Sequence, residues 1–179
     1  MRSLVLAAAA TFISSAYATP WGLGGLWGGK YDPTQCLCED SATYLVNGFA
    51  SLISAYNNAT ANAILANNLV DYSDSILSLQ GLPLGGPAFP SKAAFEAGQG
   101  AQPAVPFNVI AIESFNCDTI AFRWNVTLPP NPVKGITILK ASNSQGQKNT
   151  WQISTIFTEF NSIAWLQDIG GSVTFPSHA

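Results

Sequence analysis

WQISTIFTEFNSIAWLQDIGG, residues 151–171, is the longest stretch of the chain that is apolar, aromatic and almost uncharged. The two-residue period of a strand sets Trp151, Ile153, Thr155, Phe157, Glu159 and Asn161 on one face, with Gln152, Ser154, Ile156, Thr158 and Phe160 on the other. Neither face is wholly polar, so this strand is expected inside a sheet with material packed on both sides. Its one carboxylate, Glu159, falls on the aromatic face, where a charge is costly unless paired or used.

Upstream of this strand the chain reads as more strands separated by turn signals. Residues 120–128 alternate most cleanly, with Ile120, Phe122, Trp124, Val126 and Leu128 inward and Ala121, Arg123, Asn125 and Thr127 outward. Residues 103–115 alternate Val105, Phe107, Val109, Ala111 and Glu113 against Asn108, Ile110 and Ile112, and residues 133–142 form a further strand. The run Pro129-Pro130-Asn131-Pro132 and the polar segment 143–149 separate them.

The first half reads as helices. Tyr44, Leu45, Gly48, Phe49, Leu52, Ile53 and Tyr56 recur at spacings of three and four, predicting a helix from Glu39 to about Asn57. A shorter helix is predicted from Thr60 to about Val70, followed by an extended segment over residues 71–77. Prolines and glycines over 80–90 predict a loop over a cavity mouth, and Ser91 caps a third helix over 92–98. Three helices before a strongly curved antiparallel sheet of four or more strands make an α+β fold in a single domain, residues 36–179.

Residues 1–18 read as a signal peptide: Arg2, an apolar run from Leu4 to Ile13, and the small-x-small site Ala16-Tyr17-Ala18. The protein is therefore expected to be secreted, with a flexible Trp/Gly-rich leader over 19–35 carrying Trp21 and Trp27. Without Arg2, six basic residues stand against ten acidic ones, a net charge of −4. That mild acidity argues against nucleic acid or an anionic membrane as partner. Of three cysteines, Cys117 must be one disulfide partner, because Cys36 and Cys38 are too close to bridge each other comfortably. Cys36 is preferred as the other, with Cys38 left as a thiol. Asn58 and Asn125 lie in glycosylation sequons. The lone histidine, His178, sits in the tail, and no cofactor or metal is expected.

Several strings together resemble the secreted fungal proteins of the nuclear transport factor two-like superfamily, a cone-shaped, cystatin-like roll shared with ketosteroid isomerase and SnoaL-like proteins. They include Leu52-Ile53-Ser54-Ala55-Tyr56, Asp71-Tyr72-Ser73-Asp74-Ser75-Ile76, Phe89-Pro90-Ser91-Lys92-Ala93-Ala94-Phe95, Ile120-Ala121-Phe122-Arg123-Trp124 and Phe157-Thr158-Glu159-Phe160-Asn161. The resemblance implies a pocket inside the cone. Its isomerase members use a carboxylate base from the strand after the second helix and a tyrosine donor from the first. Those places fall here around Ser73-Asp74 and at Phe49, which donates no hydrogen bond. Its dehydratase members use histidines in the cone, and this chain has none there.

The expected function is a non-enzymatic module that binds a small apolar ligand in the cone, with Tyr72, Phe89, Trp124, Phe157 and Trp165 as lining residues, or a partner through its sheet, a homodimer included. The alternative is a cofactor-independent isomerase, lyase or hydrolase. Its general base would come from Asp74, Glu113 or Glu159, and Tyr72 would be the donor.

Overall fold

The computed structural model describes residues 32–174. The expected signal peptide, the tryptophans of the leader and His178 lie outside the described residues. In chain order the described elements are α1 (Glu39–Ser54), α2 (Asn58–Ile64), β1 (Leu65–Tyr72), α3 (Asp74–Gln80), β2 (Pro87–Phe89) and α4 (Lys92–Gly100). They are followed by β3 (Phe107–Phe115), β4 (Thr119–Thr127), β5 (Pro132–Ser142), β6 (Gln152–Phe160) and α5 (Ser162–Asp168). The strands form one sheet in the order β2-β1-β6-β5-β4-β3, so β6 has a paired strand on each side, but the packing expected on both of its faces is found on one, since Phe157 and Glu159 are exposed. Neighbouring strands are antiparallel except β1 and β6, which run parallel. The α+β architecture of helices on a curved sheet stands as expected.

Helix α1 forms because Ala42, Leu45, Val46, Phe49 and Leu52 share one buried stripe, and Glu39 and Asp40 sit at its positive end. It stops at Ser54, short of the predicted Asn57, because the Asn57 side chain is engaged in capping the next helix, accepting from Thr60 N at 3.1 Å. Two further boundaries differ from the sequence reading. The second helix ends at Ile64, and residues 65–70, predicted helical, belong to β1, whose Leu65 and Val70 pair with Ile153 and Thr155 of β6. The segment 74–77, predicted extended, opens α3: Ser73 Oγ accepts from Ile76 N at 3.1 Å, and Gly81, at φ 66°, closes the helix. At 65–70 a pairing partner distant in sequence overrode the local pattern; at 74–77 the cap at Ser73 and the stop at Gly81 are themselves local signals.

Strand β4 keeps the predicted alternation, burying Ile120, Phe122, Trp124 and Val126. Strand β6 does not. Lys140 pairs with Thr155 and Ala141 with Ile153, so Ser154 is an extra residue that moves the inward set from Trp151 and Ile153 to Ile156, Thr158 and Phe160. Phe157 and Glu159 therefore face outward, not into an aromatic interior. In β3 the extra residues Ile110 and Glu113 do the same, bringing Ile112 onto the core and leaving Glu113 exposed. Such bulges also bend the sheet around α1.

Cys36 is disulfide-bonded to Cys117, and Leu37 N donates to Cys117 O at 3.1 Å. Residues 32–35, read as the end of the flexible leader, form a turn against the body: Trp151 Nε1 donates to Pro33 O and Asn143 Nδ2 to Thr34 O, both at 3.0 Å.

Candidate functional site

A cavity of about 200 Å3 lies between the inner face of the sheet and the helices. Phe49 and Ile53 of α1, Ile76 and Leu79 of α3, Phe89 of β2 and Trp165 of α5 form its upper wall. Phe107, Trp124, Thr158 and Phe160 form its floor on the sheet. Gln80, Gln99, Gln102, Pro103 and Val105 complete the lining. Gln80 and Gln102 are exposed, so these amides mark the mouth. None of the lining side chains is ionisable.

The aromatic floor is interlocked. The rings of Phe107 and Trp124 lie 4.7 Å apart, and Trp124 to Phe160 and Phe160 to Trp165 continue the chain at 5.8 and 5.3 Å. Gly135, paired with Trp124 across the ladder, leaves room for the indole; a Cβ there would overlap its six-membered ring. The indole thereby reaches Thr137, to whose Oγ1 its Nε1 donates at 2.9 Å, and Thr137 Oγ1 is in turn hydrogen-bonded to Thr158 Oγ1. Gly135→Ala is expected to cost roughly 1–3 kcal/mol and to shift the Trp124 emission, which chemical denaturation followed by fluorescence measures.

The NTF2-like domain model matches residues 35–172 of the chain. The chain belongs to the NTF2-like family. Solved NTF2-like folds similar to it include a putative ketosteroid isomerase from Kribbella flavida, 13% identical, with 78% of this chain and 84% of that one covered and a TM-score of 0.50. A hypothetical protein with a ketosteroid isomerase-like fold from Catenulispora acidiphila, solved with trimethylamine, is 13% identical over 72% and 93%, with a TM-score of 0.51. An NTF-2 like protein of unknown function from Burkholderia xenovorans is 11% identical over 76% and 98%, also at 0.51. At these identities the likeness is one of fold. No curated protein matches the chain significantly.

Within this NTF2-like cone the residues singled out from sequence divide. Phe89, Trp124 and Trp165 line the cavity, as does Phe49, at the place where isomerase relatives are expected to hold a tyrosine. Tyr72 and Phe157 do not: they stack on each other at 5.4 Å, both exposed, on the outer face of the sheet. The reason is the shifted register of β6, which turns Phe157 away from the cone.

The candidate bases are engaged elsewhere. Glu113 accepts from Arg123 Nε on exposed parts of β3 and β4. Asp74 Oδ1 accepts from Gly85 N at 2.7 Å. Glu159 accepts from Asp74 N at 2.8 Å, from Ser75 N at 2.9 Å and from Ser75 Oγ, fastening α3 to β6. None of the three lines the cavity. Asn161, grouped with Glu159 in the sequence reading, caps α5 by accepting from Ala164 N at 3.0 Å.

Sequence reasoning did not count Asp71 among the candidate bases. It is 3% exposed, its Oδ1 has no hydrogen-bond partner, and burial, with Glu159 nearby, pushes its pKa up to about 7. Asp71 lies outside the cavity lining as well. The buried Thr137 and Thr158 were also missed, and only the alternation of β5 and β6 hinted at their inward placement.

Proposed function

We propose that this protein is a secreted NTF2-like binding module that holds a small, uncharged, largely apolar molecule in its cone and performs no chemistry on it. One observation carries the reading: the cavity is walled by aromatic and aliphatic side chains, with amides at its mouth, and no lining residue is a titratable acid or base. Proton transfer by Asp74, Glu113 or Glu159 would require one of them in that cavity, and each is bound elsewhere. Titration with neutral single-ring compounds, followed through Trp124 and Trp165 emission, is expected to saturate, and Ile76→Trp is expected to abolish binding by filling the space. Absence of saturable binding by any neutral ring compound would sink the proposal.

The partner reading has its own observation. Tyr72, Ile136, Ile138 and Phe157 are 38%, 56%, 38% and 42% exposed, and the strand pairing places them side by side on the outer face. A homodimer through this face is the second reading. Sedimentation equilibrium tests it, with Ile136→Glu expected to shift a dimer to monomer and a wild-type monomer counting against it.

Secretion belongs to the same proposal. The Cys36–Cys117 disulfide suits an oxidising compartment, and no described helix is long and apolar enough to cross a membrane. Of the two sequons, Asn58 is exposed, whereas Asn125 is half-buried with Oδ1 shielded. Protein recovered from medium is expected to begin at Thr19 and to carry its glycan on Asn58, which intact-mass measurement before and after deglycosylation checks.

A further inference from the structure

The polar chain beneath the cavity has a direction, and that direction specifies the ligand. Trp124 Nε1 can only donate, so Thr137 Oγ1 accepts from it. Thr137 is fully buried, and the other hydrogen-bond partner of its side chain among the described residues is Thr158 Oγ1. Either hydroxyl could donate in this pair, and in either direction one hydrogen is left over. Only at Thr158, which lines the cavity, can a bound molecule accept it, whereas Thr137 is fully buried outside the lining, so the hydrogen of Thr137 is assigned to Thr158. Thr158 Oγ1 is then an acceptor whose own hydrogen has no acceptor among the described residues, and the side chain lines the cavity. A water held there would need two to four polar partners, and the floor around Thr158 consists of Trp124, Phe107 and Phe160.

We infer that Thr158 presents one aligned hydroxyl donor to the cavity, and that the ligand is a neutral molecule of about single-ring size with a carbonyl-type acceptor at its buried end. The inference rests on the ligand-binding reading proposed above and narrows it. The indole and Thr137 hold Thr158 as a donor, the aromatic walls take the ring, and Gln80 and Gln102 leave room for a second polar group at the mouth. A carboxylate ligand is disfavoured, because one hydroxyl and no cation would have to replace its whole hydration shell.

The test compares acetophenone with α-methylstyrene, which replaces the carbonyl by a methylidene group at nearly constant shape. Binding is read by fluorescence titration of the full mature chain. In the wild type the ratio of the two affinities is expected to favour acetophenone by about three- to tenfold more than in Thr158→Val. Thr158→Ser, which keeps the hydroxyl, is expected to retain the wild-type ratio. Should Thr158→Val fail to fold, the carbonyl stretch of acetophenone bound to the wild type decides the matter. A shift to lower wavenumber than in an alkane supports the donor, and an unshifted band overturns it. Equal affinity ratios in wild type and Thr158→Val overturn this inference and leave the ligand-binding reading standing; failure of both probes, and of the wider set of neutral rings, overturns both.

Discussion

Asp71→Asn is expected to stabilise the protein by roughly 2–3 kcal/mol at pH 8 and to destabilise it by roughly 1 kcal/mol at pH 4. In the folded state the Asp71 carboxyl titrates near 7, whereas its ordinary value is 3.8. Burial is the larger cause and the nearby Glu159 carboxylate the smaller. Below the unfolded value the group is protonated in both states and contributes no pH dependence. As pH rises from about 4 to 7 the unfolded chain releases the proton and the native protein keeps it, so the unfolded state binds fewer protons and stability falls. Above 7 both states are ionised and the loss is complete, of order 4 kcal/mol.

Asparagine removes that ionisation. It also introduces an amide donor where the present Oδ1 already lacks a partner, a cost of roughly 1–2 kcal/mol that reduces the gain. Urea midpoints from pH 4 to 8 measure the effect. Parallel profiles for wild type and Asp71→Asn would show that Asp71 is not the titrating group.

Cys117→Ser is expected to cost about 3–5 kcal/mol, lowering the melting temperature by roughly 6–20 °C. The bridge to Cys36 closes a loop of sequence separation 81, joining the lead-in to α1 to the turn between β3 and β4. Cys38→Ser is the control. Cys38 caps α1 without a side-chain cap bond, so serine there is expected to be neutral or to add up to about 1 kcal/mol. If Cys38→Ser proved as damaging as Cys117→Ser, the crosslink would run through Cys38 instead.

The legible parts of the fold are those in which one residue's chemistry acts on its immediate neighbours. Ser91 capping α4, the stripe from Leu45 to Leu52 and the alternation from Ile120 to Val126 follow from spacing, because cap, stripe and pleat are local. For the cysteines, short-range geometry excluded a bridge between Cys36 and Cys38. The candidate site was legible in part: Phe89, Trp124 and Trp165 were named, but Tyr72 and Phe157 were placed on the wrong side of the sheet. One inserted residue, Ser154, accounts for Phe157, and it is visible only against the partner strand.

The sequence by itself thus determined the α+β class and an interior position for the strand at 152–160. These depend on composition and on periodicity within single segments. Tertiary structure alone decided that residues 65–70 are a strand, that Asp71 is buried without a partner and that Glu159 fastens α3 to β6. It also decided that Trp124, Thr137 and Thr158 share one directed chain of hydrogen bonds. Each of those is a relation between residues distant in sequence. Register across a sheet is set by the sum of many weak pairings and shifts at each bulge, so one extra residue in one strand exchanges which side chains meet.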